Sequence, residues 1–323
     1  MTARPVELVD VEKTFTRWRR RGRVRREREV VRAVEGVSFA IERGEMLGYV
    51  GPNGAGKSTT IKMCTGVLVP SGGQVRVCGL EPSRQRVELA RRIGVVFGQR
   101  SLLWWDLPLA DSFELLRHLY RVDGARHAER LAECTELLEL GEFLPTPVRQ
   151  LSLGQRMRGE LTAALLHDPE VLFLDEPTIG LDVVSKEKVR AFLADLNARH
   201  GTTVVLTTHD LDDIERLCSR MLIIDHGHVI YDGGLESLRE RYGRQRTLVV
   251  DLVEPSAPIT VPGAEVVRVD GPRQWLRFHR DTTTAAELVA RVAACYPLRD
   301  LALEEPAIED IVRRIYTEGL VDD

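Results

Sequence analysis

The chain has 323 residues, 43% of them hydrophobic and 29% charged, with a formal net charge of -4. That is enough apolar material for one large domain and a smaller one, and the acidic balance excludes a globally basic nucleic-acid binder, leaving only local basic patches. No window approaches the run of about 18 apolar residues that a membrane-spanning helix needs, and the first ten residues lack the apolar core of a secretory leader. A role at a membrane would then be exercised from the cytosol through a partner.

In chain order, Val6, Leu8 and Val9, then Val37, Phe39 and Ile41, read as short strands, followed by a turn at Arg43-Gly44 and a short apolar strand over 46–50. Between the first two strands, residues 17–30 form an insertion dense in arginine. Three readings of it stay open: an arm from Arg17 to Arg28 against anionic headgroups, where each basic residue contributes about 1 kcal/mol, a nucleic-acid patch, or a solvated hairpin tip.

Residues 51–59, Gly-Pro-Asn-Gly-Ala-Gly-Lys-Ser-Thr, follow the apolar strand and open a helix near Thr59. Strand, glycine-rich loop and helix start are the context in which G-x-x-x-x-G-K-[ST] binds phosphate. Gly51, Asn53, Gly54, Ala55 and Gly56 supply converging backbone N–H groups, Lys57 reaches the β- and γ-phosphates, and Ser58 can ligate Mg²⁺, with Thr59 beside it. From 104 to 141 apolar residues recur at helical spacing, as in Phe113, Leu116, Leu119 and Tyr120. Trp104 and Trp105 open this pattern, as an interface anchor or, since one of two neighbours on a helix tends to face inward, as filling for the helical core.

Residues 151–155, Leu-Ser-Leu-Gly-Gln, head a further helix, where Ser152 and the N–H groups near Gly154 make a second anion site or only an N-cap. Residues 171–176, Val-Leu-Phe-Leu-Asp-Glu, read as a buried strand ending in two carboxylates, Asp175 to hold Mg²⁺ and Glu176 to deprotonate water. A second buried strand over 203–207 precedes Thr208 and His209. Beyond Gly243 the texture changes: 247–253, 265–269 and 275–278 read as strands, 284–295 and 308–315 as helices. Cys64, Cys78, Cys134, Cys218 and Cys295 show no metal or redox spacing and read as buried, reduced side chains.

The phosphate loop, Leu-Ser-Leu-Gly-Gln and the acidic strand stand in an order that resembles the ATP-binding cassette of ABC transporters, over residues 5–240. The resemblance implies an α/β P-loop NTPase cassette over 1–240 with a helical signature subdomain near 100–155, and a small α+β accessory domain over 241–323. It implies further roles: Phe15 stacking on adenine, Gln99 sensing Mg²⁺ and the attacking water, Asp182 in the loop that crosses a dimer interface, and His209 touching the γ-phosphate. Ser152, Gly154 and Gln155 would contact ATP held by a second ATP-binding subunit, in a homodimer or heterodimer. Leu153 stands where the pattern has a second glycine, and Phe15 where tyrosine is commoner.

The resemblance also implies a peripheral ATPase on the cytoplasmic face of the cell membrane, driving an integral membrane permease. The stretch 98–108, Gly-Gln-Arg-Ser-Leu-Leu-Trp-Trp-Asp-Leu-Pro, is similar to multidrug or viologen-type exporters, which implies export of a drug-like or amphiphilic cargo. The alternatives are an importer ATPase, or a soluble cassette acting on ribosomes or DNA; the tandem cassettes and split coiled-coil layouts of the latter do not occur in this chain.

Overall fold

The computed structural model describes residues 4–21, 25–98 and 101–318, of which 17–21, 25–28 and 318 are described by their backbone alone. The chain divides into two units, Met1–Gly233 and Gly234–Asp323.

In the first unit, β1 (Val6–Arg21) and β2 (Arg25–Ile41) pair antiparallel, and the pairing continues as far as Arg21 opposite Arg25. The arginine-rich insertion is therefore an extension of two strands, longer than the short elements read from Val6 and Val37. After β3 (Met46–Val50), strand β4 (Gly72–Val77) adds to β1 and completes a three-stranded sheet in the order β2-β1-β4.

The second sheet carries the site. Its six strands run in the order β5 (Ile93–Phe97), β6 (Val171–Asp175), β7 (Thr203–Thr207), β3, β8 (Arg220–Asp225), β9 (His228–Gly234). Strands β5, β6, β7, β3 and β8 are parallel. Every residue of β3 and β7 is buried, as are the first four of β6. Runs such as Val-Leu-Phe-Leu replace polar alternation because a parallel sheet is covered on both faces.

Helices α1 (Lys57–Cys64), α2 (Arg86–Ala90), α3 (Leu109–Tyr120), α4 (Gly124–Leu137), α5 (Leu153–Leu165), α6 (Val183–His200) and α7 (Leu211–Leu217) complete the unit. Pro108 stands as the N-cap of α3, so Trp104 and Trp105 lie ahead of the helix. They are 41% and 52% exposed. The reading of these two side chains as core filling is thereby overturned; Leu103, Leu109, Phe113 and Leu116 are the buried ones.

The second unit holds α8 (Leu235–Tyr242) and an antiparallel sheet in the order β11 (Ala264–Asp270), β12 (Arg273–His279), β10 (Gln245–Leu252), β13 (Leu298–Glu304). Leu248, Val250, Leu276 and Phe278 pack against Leu288 and Val292 of α9 (Ala285–Cys295), a helix that Thr284 and Glu287 start with a reciprocal capping box. Helix α10 (Ile308–Glu318) follows. Strand β13 was not anticipated, because Arg299 and Asp300 interrupt its apolar alternation at an exposed sheet edge. Among the cysteines all five are free, and Cys295 is exposed where burial was expected.

Candidate functional site

The loop between β3 and α1 is shaped by glycines that tolerate no side chain. Gly56 has φ 113°, and a Cβ there would stand 2.6 Å from the Ala33 carbonyl oxygen; at Gly51 it would stand 2.4 Å from that of Ile224. From below, Gly227 N–H donates to the Ala55 carbonyl at 3.0 Å, and Glu35 N–H donates to that of Gly227 at 2.9 Å. Asn53 and Gly54 are left exposed at the crest. A loop pinned at its base presents its N–H groups without further ordering, as a nest for anions requires.

Lys57 opens α1 and is 7% exposed. Its ammonium donates to the carbonyls of Gly51 at 2.5 Å and Pro52 at 3.1 Å. Burial pulls its pKa below the ordinary lysine value, while the charges of Glu176 and Asp175 oppose that shift. The next residue, Ser58, donates its hydroxyl to the Asp175 carboxylate at 3.1 Å. Thr59 is half-buried behind it.

Asp175 ends β6 and accepts a second hydroxyl, from Thr207 at the end of β7, at 2.6 Å. One step on, Glu176 takes φ 57°, and its N–H donates to the Thr207 carbonyl at 2.9 Å. Its carboxylate stands 2.6 Å from Nε2 of His209. Ser58, Phe97, Gly98, Asp175, Glu176 and Ile179 line one cleft. Lysine, hydroxyl and two carboxylates, named from two distant stretches of sequence, thus meet with the imidazole of a third at the ends of β3, β6 and β7.

What keeps them together was missed in the sequence. Asp213, fully buried, accepts from Thr178 Oγ1 at 2.5 Å, from Thr208 Oγ1 at 3.2 Å and from Arg190 Nε at 2.6 Å. It joins the loop after Glu176, the loop carrying His209, and α6. The polar residues following two buried strands were the available signal, but nothing local connects Thr178 to a partner 35 positions away.

A second cluster forms where α5 and α6 begin. Ser152 Oγ accepts from Gln155 N–H at 3.2 Å and the Gln155 side chain accepts from Ser152 N–H at 2.9 Å. Asp182 caps α6, accepting from Ser185 N–H at 2.9 Å and Ser185 Oγ at 2.7 Å. Its carboxyl is held below the usual range by these bonds. A Cβ at Gly154 would come within 2.8 Å of Ser185 Oγ, and one at Gly180 within 2.8 Å of a Leu153 methyl. Loop 176–182 therefore runs from the Glu176 carboxylate to the second cluster. Leu153, Ile179, Val183 and Val184 are all exposed around it.

Phe15 stands on β1, exposed, with the Lys13 ammonium 5.2 Å from its ring centroid. Gln99 lies outside the described residues. No group of three or more His, Cys, Asp or Glu among the described residues could hold a metal by itself. Nor is any helix there long and apolar enough to cross a membrane.

A family model described as ABC transporter matches residues 34–179. The chain is 34% identical over 213 residues to the ABC transporter ATP-binding protein NatA of Bacillus subtilis (strain 168), spanning 66% of this chain and 86% of that protein. Over 298 residues it is 35% identical to the daunorubicin resistance ATP-binding protein DrrA2 of Streptomyces coeruleorubidus, spanning 88% and 90% of the two. The Nod factor export ATP-binding protein I of Burkholderia pseudomallei (strain 1710b) is 31% identical over the full length of both chains. Among solved structures, a dimeric ATP-binding cassette in a post-hydrolysis state, bound to ADP and Pi, matches with a TM-score of 0.61 at 28% identity, covering 71% of this chain and 98% of that one.

Proposed function

This chain belongs to the ABC transporter family as an ATP-hydrolysing, ATP-binding subunit, and we propose that it powers export through a separate membrane permease. The observation that carries the site assignment is the convergence of Lys57, Ser58, Asp175, Glu176 and His209 at the strand ends. Resistance and export names among its relatives support the direction of transport and a drug-like or amphiphilic cargo.

In this reading the loop 51–56 and Lys57 hold the β- and γ-phosphates. Ser58 and Asp175 offer oxygen donors only, a set that suits a Mg²⁺ that keeps most of its water shell. Bound there, the ion would neutralise phosphate charge. His209 holds one oxygen of Glu176, and the other receives the proton of the attacking water. Phe15 stacks on the adenine, and Gln99 senses Mg²⁺ and the attacking water.

Ser152, Gly154, Gln155 and Asp182 serve the ATP held by a second subunit. Two copies close on two nucleotides, and because ATP favours the closed arrangement over the open one, its hydrolysis lets them part and shifts the permease between states. The exposed Trp104 and Trp105 face the permease, and the arginines from 17 to 28 contact anionic headgroups, which places the protein peripherally on the cytoplasmic face of the membrane.

A Glu176→Gln chain should bind ATP and dimerise, yet hydrolyse at least about 100-fold more slowly, the scale of a lost general base. Turnover at the parental rate would remove Glu176 from that role. Flotation with anionic but not neutral liposomes tests the arginine arm; equal recovery with both would leave it a solvated hairpin.

A further inference from the structure

Helix α5 begins at the Ser152 cap, yet one stripe of it, Arg156, Gly159 and Glu160, is spent on the segment that carries the two exposed tryptophans. These positions are i, i+3 and i+4 and share a helix face. The Arg156 guanidinium lies 5.8 Å from the Trp105 ring centroid. Gly159 lets Leu103 and Leu109 approach so closely that a Cβ would meet their methyls at 3.2 and 2.9 Å.

Glu160 makes the strongest of the three contacts. It is 5% exposed, and its carboxylate accepts from the Ser101 hydroxyl and, at 2.9 Å, from Leu102 N–H. Ser101 Oγ in turn accepts from Leu103 N–H at 3.1 Å, so one carboxylate organises three consecutive residues. Burial pushes its carboxyl above the usual range, and the Ser101 and Leu102 donors oppose the rise. A buried charge is a poor choice where stability alone is at stake, since an apolar residue of similar volume would serve as well or better. What a carboxylate supplies is directional bonding that breaks or holds as a unit.

The geometry points to Glu160 as a positioning residue that fixes the Trp104–Trp105 segment to the helix headed by Ser152, so that engagement at either end is felt at the other. It rests on the reading of Ser152 as the contact to a second subunit's ATP. The two ends are eight residues apart on one helix, about 12 Å, and a rigid helix gripped at both is a physical element through which two sites can bias each other. Such coupling is reciprocal: what ATP does to the tryptophan segment, a partner seated on that segment does to ATP.

The chain holds four tryptophans, so Trp18→Phe and Trp275→Phe in a Glu176→Gln background leave Trp104 and Trp105 as the only indole reporters. ATP added to this full-length parent should change their emission as the dimer closes. Glu160→Leu should abolish the change and Ser101→Ala, at an exposed position, should at least halve it, while the midpoint of ATP-dependent dimerisation, read by light scattering, stays within about twofold because the phosphate loop is untouched. A merely structural role would move stability but leave the response per dimer intact. A parental response in both variants, or an unresponsive parent that dimerises, overturns the assignment. Absence of an ATP-dependent dimer in light scattering would instead remove the two-copy reading beneath it.

Discussion

The phosphate-loop cluster and the Ser152 cluster are built from similar side chains under opposite physical regimes. Around Lys57 and Asp175 each of these polar groups has its partners inside the same chain, in the phosphate loop, at the start of α1 or on the neighbouring strand β7. Around Ser152 and Asp182 the polar groups are exposed and occupied only with the caps of their own helices, ringed by bare Leu153, Ile179, Val183 and Val184. Exposed apolar side chains gathered at one place mark surfaces that something covers. One region is complete in a single chain; the other is finished only as a rim.

The sharpest way to break that contrast is at Asp213, on which the first region hangs. Asp213→Ala leaves Arg190 buried at 8% exposure without its closest carboxylate. The loss should be about 3–5 kcal/mol, the scale of removing one member of a buried pair. Urea unfolding measures it, and a loss below about 1 kcal/mol would show that Asp210 and Asp212, also near Arg190, suffice.

Next in size is Thr207→Val, which keeps shape and deletes the hydroxyl bonded to Asp175 at 2.6 Å. A hydrogen bond to a charged group contributes about 1.5–3 kcal/mol, so turnover should fall roughly 10-fold or more with little change in ATP affinity. Steady-state kinetics that showed only a raised KM would place the bond in nucleotide binding instead.

The smallest effect belongs to the rim. Ser152→Ala removes a cap worth about 1 kcal/mol of stability and should leave ATP binding to the isolated chain unchanged, while weakening ATP-dependent dimerisation of the Glu176→Gln form. If binding by the monomer itself fell, the two regions would not be separable in the way their burial suggests.

The contrast also governs what could be read before the fold was known. Residues 51–58 and 171–176 were legible because their chemistry is local: a glycine loop at a helix start, an apolar run ending in acids. Ser152 and Gln155 were legible as a cap for the same reason. Asp213, Thr178 and Thr207 were not, since their roles are contacts between strands and loops far apart in sequence. For Trp104 and Trp105 the reading as filling stayed open beside that as an interface anchor because adjacency on a helix was assumed, and Pro108 starts the helix after them. The extended pairing of the arginine arm was hidden by its charge, which gives strands little apolar alternation to display.

Glu176 adopts a left-handed backbone, φ 57°, that side chains other than glycine adopt at an energetic penalty of about 1 kcal/mol or more. The strain falls on the residue assigned the proton. An engineer seeking a hardier protein would find relief from this strain at this very position by substituting glycine, and on the proposed reading would give up the general base in the same step. Durability and turnover would then be set against each other at a single peptide unit.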